Sequence, residues 1–166
     1  MAGSETDPLA GLDHERFMAL ALAEARRGFR AEEVPVGAVL AELGGAVLAS
    51  AHNRTVTLND PTAHAEVLAL RRAARRRRNY RLLNTVLYVT VEPCMMCMGA
   101  ILQARLTGLV FGAPDPRWGA AGSLFDLSAD PRLNHRVTVL CGVRREACGR
   151  LMRSFFRVRR KRGNDD

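Results

Sequence analysis

The sequence is poor in lysine, cysteine and aromatic residues. Lys161 is the only lysine, four residues are cysteine, and aromatic residues make up 5% of the 166 positions. Four cysteines are too few for the dense disulfide framework of small secreted domains, so we expect a reducing compartment. No apolar run is long enough to cross a bilayer. Because the N-terminus also lacks the basic and apolar parts of a secretory signal, we expect a cytoplasmic protein without a membrane partner.

Positive charge dominates the sequence, and arginine supplies almost all of it. The formal net charge is +8 and the pI is about 10.5. Basic domains favour polyanionic partners, and guanidinium groups both bind phosphates and stack on bases. A bias in genomic composition would give the same arginine content. Charge alone therefore favours a nucleic-acid partner without excluding that explanation.

The length and the 48% hydrophobic content indicate one globular domain with a sizeable core. We place this domain at residues 14–160. The acidic segment 1–13, which is rich in small residues, is predicted to be flexible, and residues 161–166 are predicted to be a frayed tail.

One stretch carries an imidazole, a carboxylate and two thiols at suggestive spacings. His64 and Glu66 follow Pro61-Thr62, which predicts a helix start with Thr62 as its cap, and Cys94 and Cys97 follow Pro93 at a second helix start. Residues three apart in a first turn lie on one side of a helix, where the dipole favours thiolates. Three ligands from His64, Cys94 and Cys97 would leave a zinc ion one position for water, as catalytic sites do.

Each half of this stretch has a simpler explanation when it is taken alone. A single C-x-x-C is often a redox pair or half of a structural zinc site, and a single H-x-E is weak. The redox explanation leaves His64 and Glu66 without a role, and a structural zinc site lacks an obvious fourth ligand. Together the two halves match the known signature of zinc-dependent nucleobase deaminases, H-x-E…P-C-x-x-C, in which the glutamate transfers protons.

Hydrophobic periodicity predicts an alternation of helices and short strands. The predicted helices span 14–29, 63–77, 95–105 and 144–160, and the predicted strands span 34–40, 46–51, 85–91, 108–112 and 136–141. Residues 55–60 are predicted to be a polar connection, and the long irregular segment 113–134 is predicted to be a functional loop.

Several residues allow two interpretations from the sequence. The arginines of 71–78 form either a solvated helix end or a nucleic-acid contact, and Trp118 is either buried or stacked on a base. One of Phe155 and Phe156 is expected to anchor the core while the other is exposed for stacking. Two further cysteines, Cys141 and Cys148, are predicted to be buried and inert.

The chain resembles the bacterial tRNA-specific adenosine deaminases, which modify the wobble adenosine and belong to the cytidine deaminase-like superfamily. The motifs that carry the resemblance are EVPVGAVL (33–40), NDPTAHAE (59–66), NYRL (79–82), TVLYVTVEPCMMC (85–97), VFGAPD (110–115), GAAGSL (119–124), NHRV (134–137) and FFRVRR (155–160). The zinc motif alone indicates only a nucleobase deaminase, whereas GAAGSL, NHRV and FFRVRR are typical of the tRNA enzymes. The resemblance implies a three-layer α/β/α fold of the cytidine deaminase-like type, with a mixed five-stranded sheet.

The resemblance also implies roles for individual residues. It implies that His64, Cys94 and Cys97 bind one Zn²⁺ per subunit and that Glu66 is the catalytic proton shuttle. It further implies that substrate is contacted by Asn53, Asp115, Phe156, Arg157 and Arg159. The implied partners are a tRNA anticodon stem-loop, with an arginine tRNA as the expected substrate, and a second copy of the chain in a homodimer. His52 and Pro114 depart from the family pattern, which expects an aromatic and a basic residue there.

Two other functions remain open from the sequence. A small-molecule deaminase of guanine or cytosine would share the zinc motif but would not need a net charge of +8. A non-catalytic RNA-binding protein stabilised by zinc would not need Glu66.

Overall fold

A mixed sheet of five strands forms the centre of the computed structural model, which describes residues 7–162. The strands are β1 Gly37–Glu42, β2 Val47–His52, β3 Thr85–Val91, β4 Gly108–Ala113 and β5 Thr138–Cys141. The sheet order is β2-β1-β3-β4-β5; β1 is antiparallel to both of its neighbours, and β3, β4 and β5 are parallel. This confirms the predicted sheet, although β1 and β5 begin later than predicted.

Within residues 7–162, five helices accompany the sheet, and four of them were predicted. They are α1 His14–Arg30, α2 Thr55–Leu58, α3 Ala65–Arg77, α4 Met95–Gln103 and α5 Arg145–Arg162. The short helix α2 replaces part of the predicted polar connection at 55–60. The carboxylate of Glu33 caps it, accepting hydrogen bonds from the backbone N–H groups of Val56 and Thr57 at 3.2 and 2.7 Å.

Alternate residues of β3 face two separate cores, one on each side of the sheet. Leu87 and Val89 pack in the core that includes residues of α3 and α4. Val86 and Tyr88 pack in the other core, with residues of α1 and with Cys148 of α5. Because successive strand side chains point to opposite faces, one buried strand serves both cores. The molecule is therefore a three-layer α/β/α sandwich, as predicted.

Near both ends of the described residues, the structure differs from the segments predicted from the sequence. Within the predicted flexible segment 1–13, Leu9 is only 2% exposed and belongs to the α1 core. At the other end, α5 continues through residues 161–162 of the predicted frayed tail. The predictions for residues 1–6 and 163–166 lie outside the described part of the chain.

The two cysteines outside the metal motif have different environments. Cys148 is buried, as predicted, and a Cβ on Gly112 would lie only 2.4 Å from its Sγ atom. Cys141 is exposed, so the prediction of a buried thiol was wrong there. The reason is that it ends β5, a short strand at the edge of the sheet.

The arginine run at the end of α3 makes intramolecular contacts. Arg72 and Arg76 donate hydrogen bonds to the backbone carbonyls of Ser50 and Leu48 on the edge strand β2, the second at 3.1 Å. Arg77 donates to the carbonyl of Leu83 at 2.9 Å. These contacts give three of the arginines a structural role that neither sequence interpretation included.

None of the helices in residues 7–162 combines the length and the apolar character that crossing a bilayer requires.

The close approach of α1 to β1 at Gly37 makes this position sensitive to substitution. A Cβ on Gly37 would lie 2.0 Å from the carbonyl oxygen of Ala21 and 2.4 Å from the amide nitrogen of Ala25. Gly37→Ala should therefore separate the two elements and lower the free energy of unfolding by about 1–3 kcal/mol. Urea unfolding measures the change. Gly44→Ala is the matched control, because a Cβ there meets nothing within 4 Å, and equal losses in both variants would contradict this account.

Candidate active site

Three potential metal ligands meet at one point in the structure. The ligand atoms of His64, Cys94 and Cys97 all lie within 4.8 Å of one another. The Nδ1 atom of His64 is 3.8 Å from Sγ of Cys94 and 3.5 Å from Sγ of Cys97. Tetrahedral zinc bound to one imidazole and two thiolates would separate nitrogen from sulfur by about 3.5 Å. The donor set and its spacing therefore fit zinc.

Two helix N-termini create this arrangement. His64 is the N-cap residue of α3, Cys94 is the N-cap residue of α4, and Cys97 lies in the first turn of α4. The predicted convergence of two helix starts is thus confirmed. The predicted cap at Thr62 was wrong, because its amide and hydroxyl groups instead donate to Oδ1 of Asp60 at 2.8 and 2.7 Å.

The local electrostatics favour a thiolate at this point. The hydrogen bond with Cys97 lowers the pKa of Cys94 to about 4, against the cost of burial, and the contact with His64 adds to the effect. The same contact with Cys94 raises the pKa of His64. The same hydrogen bond with Cys94, together with burial, raises the pKa of Cys97. A thiolate is the form of cysteine that binds metals, so Cys94 is prepared for a cation, whereas Cys97 would release its proton when a metal binds.

Glu66 is a buried carboxylate beside this group, and one of its oxygens is unpaired. Its side chain is 3% exposed, and burial raises its pKa to about 7. Among the described residues, its Oε2 atom is buried without any hydrogen-bond partner. Buried polar atoms are almost always paired, so an exception next to potential metal ligands indicates an oxygen that pairs with a bound molecule.

Asn53 connects the end of β2 to this centre. It is buried, and its Oδ1 atom accepts a hydrogen bond from the backbone N–H of Ala65 at 2.8 Å. Ala65 lies between His64 and Glu66, so this bond fixes the first turn of α3. With Oδ1 engaged in this way, the NH₂ group is the donor that Asn53 can offer to a ligand.

A cavity of about 1310 Å³ opens over these residues. Its lining includes Asn53, His64, Glu66 and Cys94 from the centre, and Asp115 from the loop after β4. Of the other predicted substrate contacts, Phe156 and Arg157 of α5 also line it. Arg159 is not among the lining residues; its guanidinium carbon lies 5.6 Å from the centre of the Phe155 ring. Phe155 is buried and Phe156 is exposed, which is the division expected from the sequence.

Part of the basic wall of this cavity consists of residues that were not predicted from the sequence. Arg145, Arg153 and Arg160 line it together with Arg157, all of them on α5. Arg153, Arg157 and Arg160 recur at helical spacing around Phe156, which is the signal that could have found them.

Glu92 is a second residue whose importance the sequence analysis missed. It is buried directly before Pro93, and Ala121 and Ser123 donate backbone N–H groups to its Oε1 atom at 3.0 and 2.9 Å. Its Oε2 atom accepts the N–H of Asp115 at 3.0 Å and the hydroxyl of Ser123. One carboxylate therefore holds the first part of the irregular segment 113–134 against the metal motif.

The segment held by Glu92 is also tied directly to the metal motif through the backbone. Gly119 forms an isolated antiparallel bridge with Cys94, and the N–H of Ala120 donates to the carbonyl of Pro93 at 2.9 Å. Asp115 contributes inside the loop, where its Oδ1 atom accepts the N–H groups of Arg117 and Trp118 at 2.9 and 3.3 Å. One oxygen of Asp115 therefore shapes the loop, and its predicted substrate contact stays a prediction.

Removing the charge of Glu92 should loosen this loop. In Glu92→Gln, an NH₂ group replaces one acceptor oxygen and leaves buried donors unpaired, so the free energy of unfolding should fall by about 1–3 kcal/mol. Amide hydrogen exchange of residues 115–123 should become faster. Glu15→Gln is the control, since its exposed pair with Arg144 should contribute under about 1 kcal/mol. Unchanged exchange in the loop of Glu92→Gln would contradict this role.

Comparison with known proteins identifies the family to which this chain is similar. The family described as MafB19-like deaminase matches residues 12–160. The tRNA-specific adenosine deaminase of Haemophilus influenzae is 46% identical over 89% of this chain and 85% of its own length, and that of Bacillus subtilis is 42% identical over 89% and 91%.

Solved structures agree in fold. A structure from studies of tRNA:A34 deaminases that edit the wobble position is 43% identical, covers 82% of this chain and 98% of its own, and has a TM-score of 0.79. A guanine deaminase from Nitrosomonas europaea is 26% identical over 87% and 85%, with a TM-score of 0.77. On the strength of the curated relatives, the chain belongs to the tRNA-specific adenosine deaminase family, within the cytidine deaminase-like proteins.

Proposed function

We propose that this protein converts adenosine to inosine at the wobble position of a tRNA anticodon, with an arginine tRNA as the expected substrate. The observation that carries the proposal is the unpaired Glu66 oxygen beside the His64, Cys94 and Cys97 group, in a cavity with a wall of arginines. Family membership supports adenosine in tRNA as the substrate.

We propose zinc as the cofactor, with one ion per subunit held by His64, Cys94 and Cys97. A Cys₂His donor set suits zinc among the common divalent metals, and three ligands leave one coordination position open. When bound there, zinc would lower the pKa of a water molecule and so supply the nucleophile.

Glu66 performs the proton transfers of the proposed reaction. Its unpaired oxygen takes a proton from the attacking water and delivers it to the ring nitrogen next to C6 of adenine. Water adds to C6, its second proton passes to the exocyclic amine, the C6–N bond breaks to release ammonia, and inosine remains. A pKa near 7 lets one carboxyl group both accept and donate a proton at neutral pH. The NH₂ group of Asn53 donates to the base, because its oxygen is held by Ala65.

The arginine wall on α5 supports a polynucleotide substrate. Arg145, Arg153, Arg157 and Arg160 line the cavity on the same helix as the exposed Phe156. Guanidinium groups bind phosphates, and exposed aromatic rings stack on unpaired bases. An anticodon loop is single-stranded, so its wobble base leaves the stack at low cost. Arg159 lies on α5 but does not line the cavity, and its contact with the RNA stays a prediction.

We also propose that the protein acts as a homodimer in the cytoplasm. Exposed apolar side chains in the segment after β4, at Leu124, Phe125 and Leu133, give a second copy an apolar surface to cover. In a dimer, both subunits could contribute to the RNA-binding groove.

A guanine deaminase is the second candidate, because solved guanine deaminases share the fold. A free nucleobase carries no phosphate for the four arginines of the cavity wall, so this observation favours RNA. A non-catalytic RNA-binding protein is disfavoured by Glu66, whose buried unpaired oxygen has no structural use among the described residues.

The activity is tested with an arginine-tRNA anticodon stem-loop and the zinc-loaded protein. Wild type should form inosine at the wobble position, and Glu66→Gln should lower the rate about 10²–10⁴-fold, because proton transfer is lost while the metal ligands remain. Zinc analysis of both proteins is the control. Deamination of free guanine without inosine in the RNA would reject the proposal in favour of the second candidate.

Zinc binding is tested separately by metal analysis of the purified chain. Wild type should contain one equivalent of zinc, and Cys97→Ala should contain almost none, because two ligands cannot replace three. Cys148→Ala is the matched control, since it also removes a buried thiol but lies outside the group. Full zinc content in Cys97→Ala, with native circular dichroism, would show that the ligands were assigned wrongly.

A further inference from the structure

We propose that Trp118 is a stacking platform for an unpaired RNA base next to the nucleotide that enters the cavity. The inference deepens the proposed function and rests on it, since it requires a polynucleotide substrate. From the sequence, Trp118 was either buried or stacked on a base, and the proposal assigns it the second role.

Trp118 is a large aromatic side chain that is exposed to solvent although it lies at the cavity. It is 63% exposed although it lines the cavity together with Glu66 and Cys94. Among the described residues it makes no contact with another aromatic ring, whereas Phe155 and Phe156 contact each other. Exposed apolar surface at the edge of a binding site is typical of a contact surface for a ligand.

The backbone that carries Trp118 is fixed relative to the reacting groups. Its N–H donates to Oδ1 of Asp115 at 3.3 Å, and the next residue, Gly119, is bridged to Cys94. A Cβ on Gly119 would lie 2.5 Å from the carboxyl carbon of Glu92, so only glycine permits this close approach. The backbone at Trp118 is therefore held at a defined position next to the metal motif, while the side chain itself remains accessible.

The surroundings of Trp118 identify the ligand as RNA. Arg117 precedes it and also lines the cavity, as do Phe156 and Arg157 of α5. Aromatic rings combined with arginines bind unpaired bases and their phosphates, with the stacking tolerant of base identity. A free nucleobase at Glu66 offers no neighbouring ring for Trp118, whereas a single-stranded loop offers one on each side of the target.

Trp118 is the only tryptophan in the chain, so its fluorescence reports on this contact directly. A Glu66→Gln background prevents turnover while an anticodon stem-loop RNA is titrated. We expect RNA binding, measured independently by anisotropy of labelled RNA, to quench the tryptophan emission in parallel. Tyr80→Ala in the same background is the matched control: Tyr80 is 62% exposed and does not line the cavity, so the quench should persist. Binding without quenching overturns the proposal.

Steady-state kinetics separate stacking from a structural role. Trp118→Ala should raise KM for the RNA about 5- to 100-fold with kcat nearly unchanged, and Trp118→Phe should restore most of the loss. The same RNA made abasic at the stacked neighbour should show no further effect of Trp118→Ala. A fall in kcat alone, or an equal KM effect on RNAs abasic at either neighbour, overturns the proposal. Absence of inosine with wild-type protein would instead reject the proposed function itself.

Discussion

The meeting of two helix N-termini at the carboxyl end of β3 is the constraint on which the site depends. A three-ligand group with atoms within 4.8 Å of one another requires that α3 and α4 begin close together, with His64 and Cys94 as their N-cap residues. The hydrophobic core on that side of the sheet fixes both helices, and Asn53 fixes the first turn of α3 by a single hydrogen bond. Ligand spacing is therefore a result of core packing, and so is the position of Glu66 in the first turn of α3.

The sequence predicted the sheet, four helices and the metal group because those features have local signals. Hydrophobic period, proline at helix starts and the spacing of Cys94 and Cys97 are all visible within a few residues. Helix α2 has no such signal, because its cap is Glu33, which is more than twenty residues away. Glu92 was missed for the same reason: its partners lie in a loop about 23 to 31 residues downstream, and no pattern in the sequence pairs them.

Arginine has two separate uses in this molecule, which composition alone could not separate. On α3, Arg72 and Arg76 satisfy backbone carbonyls of the neighbouring strand. On α5, four arginines face the cavity beside Phe156. Four of the five arginines that line the cavity therefore lie on one helix, and the fifth is Arg117 of the loop after β4. The loop organised by Glu92 supplies another part of the cavity lining, so the site has a basic helix on one side and a hydrogen-bonded loop on another.

The contacts of Arg72 and Arg76 also limit how two copies of the chain can associate. Edge strands commonly recruit a strand from another molecule, and β2 is an edge strand of this sheet. A sheet that continued through β2 into a second subunit would have to compete with two guanidinium groups for the carbonyls of Ser50 and Leu48. β-Augmentation at this edge is therefore disfavoured, and any assembly of two copies would have to use other surfaces of the molecule.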